Sequence, residues 1–342
     1  MPKRYLGNII TDTPTEPTEN YEDAAASGVW SLAEANAYTA AGLWPTAGNA
    51  APRALFIGGQ NSGGSTNIID YIQIASTGNA TDFGDLDDTR ENFRGAFGSS
   101  TRGVIGGGAT APDDYIQYVT IATAGNTTTF GDLLTGTTQG AGASSETRGL
   151  FGGGNNSNVI EYVTIASIGN SVDFGDLTQT RRTLAACAST TRAVFAGGSE
   201  SDPPFTQYNI IDYVTIATTG NATDFGDMTL ARSGLDGCSS STRGVFSGGY
   251  DGSSAVNTID YITIASTGNA TDFGDLLAAI SRSAGASSHV RGVFGGGNYS
   301  PFLNTIQYIT IASIGNATDF GDLTAARAEL AALSNAHGGL AA

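Results

Sequence analysis

Reactive side chains are scarce in this chain. Of 342 residues, two are histidines (His289 and His337), two are cysteines (Cys187 and Cys238), and Lys3 is the only lysine. Zinc needs several His, Cys or carboxylate ligands, and neither histidine recurs or stands in a ligand spacing, so no metal site is expected. His289 reads as an exposed turn residue. Cys187 and Cys238 hold equivalent places in an internal repeat, where other copies carry Ala143 and Ala286. They read as buried thiols, because no histidine is placed to activate them. Glycine strings such as Gly295-Gly296-Gly297 precede a strand pattern rather than a helix start, so they are not phosphate cradles. Runs of the type Asn-Ala-Thr-Asp-Phe-Gly-Asp place Asp82, Asp173, Asp224, Asp272 and Asp319 at one recurring position, with Thr129 in the remaining copy. Calcium favours such oxygen-rich turns, but the few carboxylates per site favour a turn role. No catalytic constellation and no cofactor are expected.

The loops offer recognition chemistry instead. Where the copies differ most, aromatic rings stand beside Asn, Ser, Gln and Asp: Phe205 and Tyr208, Tyr250, and Tyr299 and Phe302. Rings stack and small polar groups hydrogen-bond, which suits a sugar or a protein surface. These five are the candidate binding residues. The equivalent loop of the third copy has only Asn155, Asn156, Ser157 and Asn158, and is expected to matter little.

Charge and composition exclude several partners. The formal charge is −17, and a nucleic-acid binder needs a basic stripe to displace counterions. An anionic membrane surface would repel the chain, and no apolar run approaches the ~20 residues of a membrane span. The opening Met1 to Asn8 lacks the apolar stretch of a secretory signal. The expectation is a protein made in the cytoplasm that leaves, if at all, as part of something larger.

The elements that must position these loops come from a repeat. Phe-Gly-Asp begins at Phe83, Phe130, Phe174, Phe225, Phe273 and Phe320, and an Arg-Gly-Val-Phe-Gly-Gly string or close variant begins at Arg53, Arg102, Arg148, Arg192, Arg243 and Arg291. Each copy reads as four short strands: a small apolar one (Ala284 to Ser288), one ended by glycines (Arg291 to Phe294), one rich in Ile, Tyr and Thr (Thr305 to Ala312), and one carrying Phe320 to Leu323. Gly315-Asn316 is expected to supply positive-φ turn residues between the last two strands. The first and third turns share one face of such a ring, so Arg102 and its equivalents are expected near the Asp82-type carboxylates. Four antiparallel strands every ~40–50 residues is a propeller-blade pattern.

Gly295-Gly296, Tyr308, Phe320, Leu323 and Arg327 stand in the order of a Kelch repeat, which the copies resemble apart from Phe at the usual Trp position. The resemblance implies an all-β, six-bladed Kelch-like β-propeller over residues 50–342. The stretch Ala328 to Asn335 aligns with the first strand of the other copies, and is expected to close the ring by supplying the strand missing from blade one; the alternative donor is the stretch Pro45 to Ala51, which also aligns loosely.

Residues 1–49 share nothing with the repeat. Ser31 and Glu34 form a capping-box pattern, predicting a helix from Leu32 to about Gly42 between Trp30 and Trp44. The stretches Arg4-Tyr5-Leu6-Gly7-Asn8, Ser27 to Leu32 and Gly42-Leu43-Trp44-Pro45 resemble N-terminal regions of virion structural proteins of tailed phages, marine and cyanobacterial ones especially. That resemblance implies an anchor, with Tyr5, Leu6, Trp30 and Trp44 docking onto other virion proteins. The expected function is a non-enzymatic virion structural protein, a tail appendage or fibre component that meets a host cell-surface glycan or protein and is released by lysis. The alternatives are capsid decoration and a free lectin-like or scaffold propeller.

Overall fold

The computed structural model describes residues 4–6, 28–30, 51–298 and 301–340. Contacts divide the chain into two units, Met1–Ala51 and Pro52–Ala342. In the first, Arg4–Leu6 pairs antiparallel with Gly28–Trp30, which sets Tyr5 opposite Val29 and Leu6 opposite Gly28. The helix expected from Leu32, and Trp44, lie outside the described residues.

The second unit is an all-β, six-bladed β-propeller. Blades two to six are four-stranded antiparallel meanders whose strands pair in sequence order. Blade six shows the plan: Ala284–Ser287, Arg291–Gly295, Thr305–Thr310 and Thr318–Asp322. Alternation along each second and third strand sends apolar side chains to both faces of the blade, because each blade is packed between two others. The second-strand phenylalanines Phe56, Phe151, Phe195, Phe246 and Phe294 are fully buried between neighbouring blades. Burying each contributes roughly 1.5–3 kcal/mol. Blade one takes its innermost strand from the far end of the chain: Ala331–Ser334 pairs with Arg53–Ile57, in register Leu333 to Leu55. This joins the first blade to the last and leaves no open edge in the ring.

Three repeated devices hold blade to blade. In the first, the Asn of each Gly-Asn turn accepts a hydrogen bond at Oδ1 from the Phe-Gly-Asp backbone of the preceding blade. Asn316 takes Asp275 N–H at 3.1 Å, and Asn79 closes the circle on Asp322 N–H at 3.1 Å. The flanking residues extend the ladder, Gly315 N–H to Phe273 O and Ala317 N–H to Asp275 O, each at 2.8 Å. The expected hairpin role of this pair is thereby corrected. Only Gly315 has a positive φ (+154°), and Asn316 serves the neighbouring blade. The two glycines make the approach possible, since a Cβ on Gly274 would stand 2.6 Å from Gly315 O.

The second device is the arginine that opens each second strand. Its guanidinium lies over the third-strand tyrosine of its own blade, Arg291 over Tyr308 at 4.3 Å and Arg243 over Tyr261 at 4.4 Å. It donates to the carbonyl just past the third strand of the next blade, as Arg243 does to Ile311 O at 2.8 Å. The tyrosine meets the Phe-Gly-Asp phenylalanine edge to face, Tyr308 to Phe320 at 6.0 Å. The expectation that Arg102 and its equivalents pair with Asp82-type carboxylates is therefore corrected. A desolvated carbonyl and a π-face take the charge instead, Arg102 donating to Ile165 O at 2.7 Å.

The third device is buried. Arg181, Arg232 and Arg327, each seven residues past the phenylalanine, reach the next blade's third strand and pair with Asp212 (2.9 Å), Asp260 (2.9 Å) and Asp70 (3.0 Å). Both partners of each pair are fully buried. Blade five has Ile280 at the linker position, and the facing residue in blade six is the neutral Gln307, whose Oε1 accepts from Leu277 N–H at 2.8 Å. Blade two has Thr137 there, and Glu161 is met by Arg94 at 3.4 Å. Charge balance is kept at each of these interfaces, as burial of an unpaired ion would require.

Candidate functional site over the channel mouth

The innermost strands surround a central channel. Small residues line it because six backbones converge there, and a Cβ on Gly142 would meet Ala96 O at 2.6 Å. Cys187 and Cys238 lie in this wall as buried free thiols, and burial pushes both well above the ordinary thiol range. At the end formed by the turns between first and second strands, the C-terminal residues cross the opening. His337 Nε2 lies 2.8 Å from Gly98 O, Gly338 N–H donates to Ser239 O at 3.0 Å, and Leu340 is buried. Burial lowers the His337 pKa. His289 is partly buried rather than the exposed turn residue expected.

The opposite end, formed by the second-to-third-strand loops and the interblade linkers, carries an unusual rim. Nine residues past each repeat phenylalanine stand Asn92, Gln139, Thr183, Gly234, Arg282 and Glu329, with φ between +50° and +62°. Only one is glycine. A left-handed backbone costs other residues of order 1–3 kcal/mol, and most for a β-branched one such as Thr183. The cost is offset by a closed ring of hydrogen bonds, in which each N–H donates to the rim carbonyl of the preceding blade at 2.6–3.0 Å, Asn92 completing the circle on Glu329 O. Side chains continue the rim. Arg282 pairs with Glu329 at 2.6 Å, Asn92 Nδ2 donates to Glu329 Oε2 at 2.6 Å, Gln139 Nε2 to Asn92 Oδ1 at 3.0 Å, and Arg182 to Gln139 Oε1 at 3.2 Å. Burial raises the Glu329 pKa although Arg282 opposes the shift. Below the rim, in a channel pocket of about 140 Å³, stands Asp236 where the other blades have Gly or Ala. Burial pushes its carboxyl up to about 7, against hydrogen bonds from Ser283 and Gly285.

Gly234 leaves a gap in the rim's side chains, and there the channel mouth meets a cleft of about 610 Å³ spanning blades three to five. Its walls are Phe205 and Tyr250, which are 44% and 40% exposed. Arg182 and Arg282 flank the rim, and Thr183, Ser199, Gln207, Ser233 and Ser281 supply polar groups. Among the described residues no carboxylate lines it. The walls are held by local ladders. Arg182 and Ser199 exchange two backbone hydrogen bonds at 3.0 Å, and Ser233 and Tyr250 exchange two at 2.7 and 3.0 Å. The Arg182 guanidinium lies 5.4 Å from the Phe205 ring centre, and it also donates to Asn155 Oδ1 at 3.3 Å. The Asn- and Ser-containing loop of blade three thus positions the arginine of the cleft through Asn155.

Of the five candidate binding residues, the structure brings Phe205 and Tyr250 into one cleft. Tyr208 lies beside it, half-buried, with its hydroxyl donating to Glu200 at 3.0 Å. That bond and those from Thr206 lower the pKa of the half-buried Glu200. Phe302 does not line the cleft, and Tyr299 lies outside the described residues. Sequence reasoning missed Arg182, Arg282 and the rim. The available signal was alignment from Phe-Gly-Asp: the seventh following position is structural, and the eighth and ninth hold Arg182 and Arg282. Among the described residues no group of three or more His, Cys, Asp or Glu is placed to hold a metal ion. A scan against protein-family models and a search of curated proteins both return no match to this chain.

Proposed function

We propose that the protein is a non-enzymatic structural component of a tailed-phage particle, a tail appendage or fibre protein whose propeller binds the host cell surface. Residues 1–49 hold the chain to other virion proteins, and the cleft on the open face makes the host contact. The observation that carries the reading is the cleft. It pairs two exposed aromatic walls with polar groups on a backbone fixed before any ligand arrives, an arrangement that lowers the ordering cost of binding. Loop aromatics on a rigid scaffold are the means by which recognition proteins achieve contact area at small entropic cost. The division of the chain at Ala51 supports separate attachment and recognition parts, and the resemblance of the 4–8, 27–32 and 42–45 stretches to virion proteins supports the particle. Capsid decoration accounts for the anchor but gives the cleft no use.

Incorporation tests the reading. The full chain and a variant lacking residues 1–49 are produced in infected cells, and purified particles are probed for each. The account expects the full chain in particles and the variant soluble, folded and left behind. Equal incorporation of both overturns the anchor assignment, and absence of the full chain from particles overturns the virion reading.

A further inference from the structure

Thirteen arginines lie in residues 51–342, and eleven of them hold blade strands and linkers together. Six are the second-strand arginines that stack on tyrosine and donate to the next blade. Five are linker residues: Arg181, Arg232 and Arg327 in buried Asp pairs, Arg94 on Glu161, and Arg90, which donates to Thr110 O and Pro112 O and lies 5.4 Å from the Tyr115 ring centre. The remaining two are Arg182 and Arg282, and both line the cleft. The chain carries 32 acidic residues, yet among the described residues none lines this cleft. Both arginines therefore line one cleft with Phe205 and Tyr250, and the acid Glu329 pairs with Arg282 from outside the lining.

We infer that the cleft binds a carboxylate-bearing sugar, its ring stacked on Phe205 or Tyr250 and its carboxylate taken by the Arg182 and Arg282 guanidiniums. The inference rests on the surface-recognition reading and narrows its ligand. A planar guanidinium fork matches a carboxylate in two parallel hydrogen bonds. Arg182 donates to two neutral amide oxygens, Gln139 Oε1 and Asn155 Oδ1, so these bonds hold its positive charge in place without neutralising it. Arg282 is tethered by Glu329 on one side, and its side chain is 44% exposed. Ser199, Ser233, Ser281, Thr183 and Gln207 offer hydroxyl and amide groups of the kind that exchange hydrogen bonds with sugar hydroxyls. A volume of about 610 Å³ suits one or two sugar units. The net charge of −17 opposes a densely charged polyanion at long range, which favours a single carboxylate held within one Debye length of the arginines.

The test uses full-length protein and matched oligosaccharide pairs in which a terminal hexose is replaced by the corresponding uronic acid, with inorganic phosphate as a competing anion. Affinities are measured by titration calorimetry. The expected result is at least tenfold tighter binding of the uronic-acid member. Arg182→Gln and Arg282→Lys should each reduce that preference while the melting temperature stays within a few degrees of the wild type. Phe205→Ala should weaken both members of a pair and leave their ratio unchanged. Equal affinity for the two members, with host adsorption intact, overturns the carboxylate assignment and leaves surface recognition standing. Displacement by phosphate at equal concentration assigns a plain anion site and overturns the sugar. Binding of neither member overturns the inference outright. Should Arg182→Gln fail to fold, Arg282→Lys carries the same comparison from the other side of the cleft.

Discussion

Buried charge is matched residue by residue at the interfaces held by Arg94, Arg181, Arg232 and Arg327, while buried Arg90 donates to the carbonyls of Thr110 and Pro112. Where the linker supplies Arg232 the next blade supplies Asp260, and where it supplies Ile280 the next blade supplies Gln307. Asp260→Asn alone should cost about 3–5 kcal/mol in urea unfolding, because it strands the Arg232 charge in a dry interface. The double variant Arg232→Ile with Asp260→Gln copies the neighbouring interface, and should recover all but about 1–2 kcal/mol of that loss. A double variant as unstable as the single one would show that the pairing is not interchangeable. Asp236 gives a pH signature. Its folded pKa of about 7 exceeds the ordinary carboxyl value near 4. Ionising it therefore disfavours the fold, and stability falls as pH rises from about 4 through 7. Asp236→Asn removes this dependence. It should exceed the wild type in stability at pH 8 by at least ~1.4 kcal/mol, the free energy of a tenfold change in proton affinity, and match it near pH 4. An unchanged difference across that range would contradict the buried carboxyl. Residue types alone revealed the aromatic walls, because Phe205 and Tyr250 stand in loops that break the repeat. They did not reveal Arg182, which looks like a duplicate of the structural Arg181 until register separates a side chain aimed into an interface from one aimed at a cleft.

Strands carry the legible part of the fold. The sixfold recurrence of Phe-Gly-Asp and the second-strand arginine marked four strands per blade, since each motif occupies a fixed place between neighbouring blades. The left-handed rim was not legible. Asn92, Gln139, Thr183, Arg282 and Glu329 share no residue type, and the interblade backbone ring that stabilises their conformation has no sequence signature. The Gly-Asn turn misled for a related reason: its Asn suits a local hairpin, yet the partner that claims it belongs to another blade. At this scale the strand Ala331–Ser334 is the decisive element, because it is the inner strand of blade one and the lateral neighbour of blades two and six. Deleting residues 328–342 should abolish cooperative thermal unfolding and expose the inner edge of Arg53–Ile57, giving aggregation in light scattering. A truncated chain that melts as one sharp transition at the wild-type temperature would show that the ring closes without it.

Across the whole molecule, the propeller presents two unlike faces. One is crossed by the C-terminal residues around His337. The other opens through the rim at Gly234 into the cleft of blades three to five. A ring tied by Asn turns, stacked arginines and buried pairs is a rigid mount, and the lining of the cleft is set by the loops of blades four and five and by the linkers that carry Gln139, Arg182, Ser233 and Arg282. The central claim is that this cleft makes the host contact. The most direct measurement is adsorption of purified full-length protein to host cells, comparing the wild type, Phe205→Ala with Tyr250→Ala, and Phe302→Ala as a loop aromatic outside the cleft. Each lost stacking ring is worth on the order of 1 kcal/mol, so the double variant should bind roughly tenfold or more weakly, with Phe302→Ala unchanged and all three melting alike. Equal adsorption by the double variant, or none by the wild type, would contradict the account.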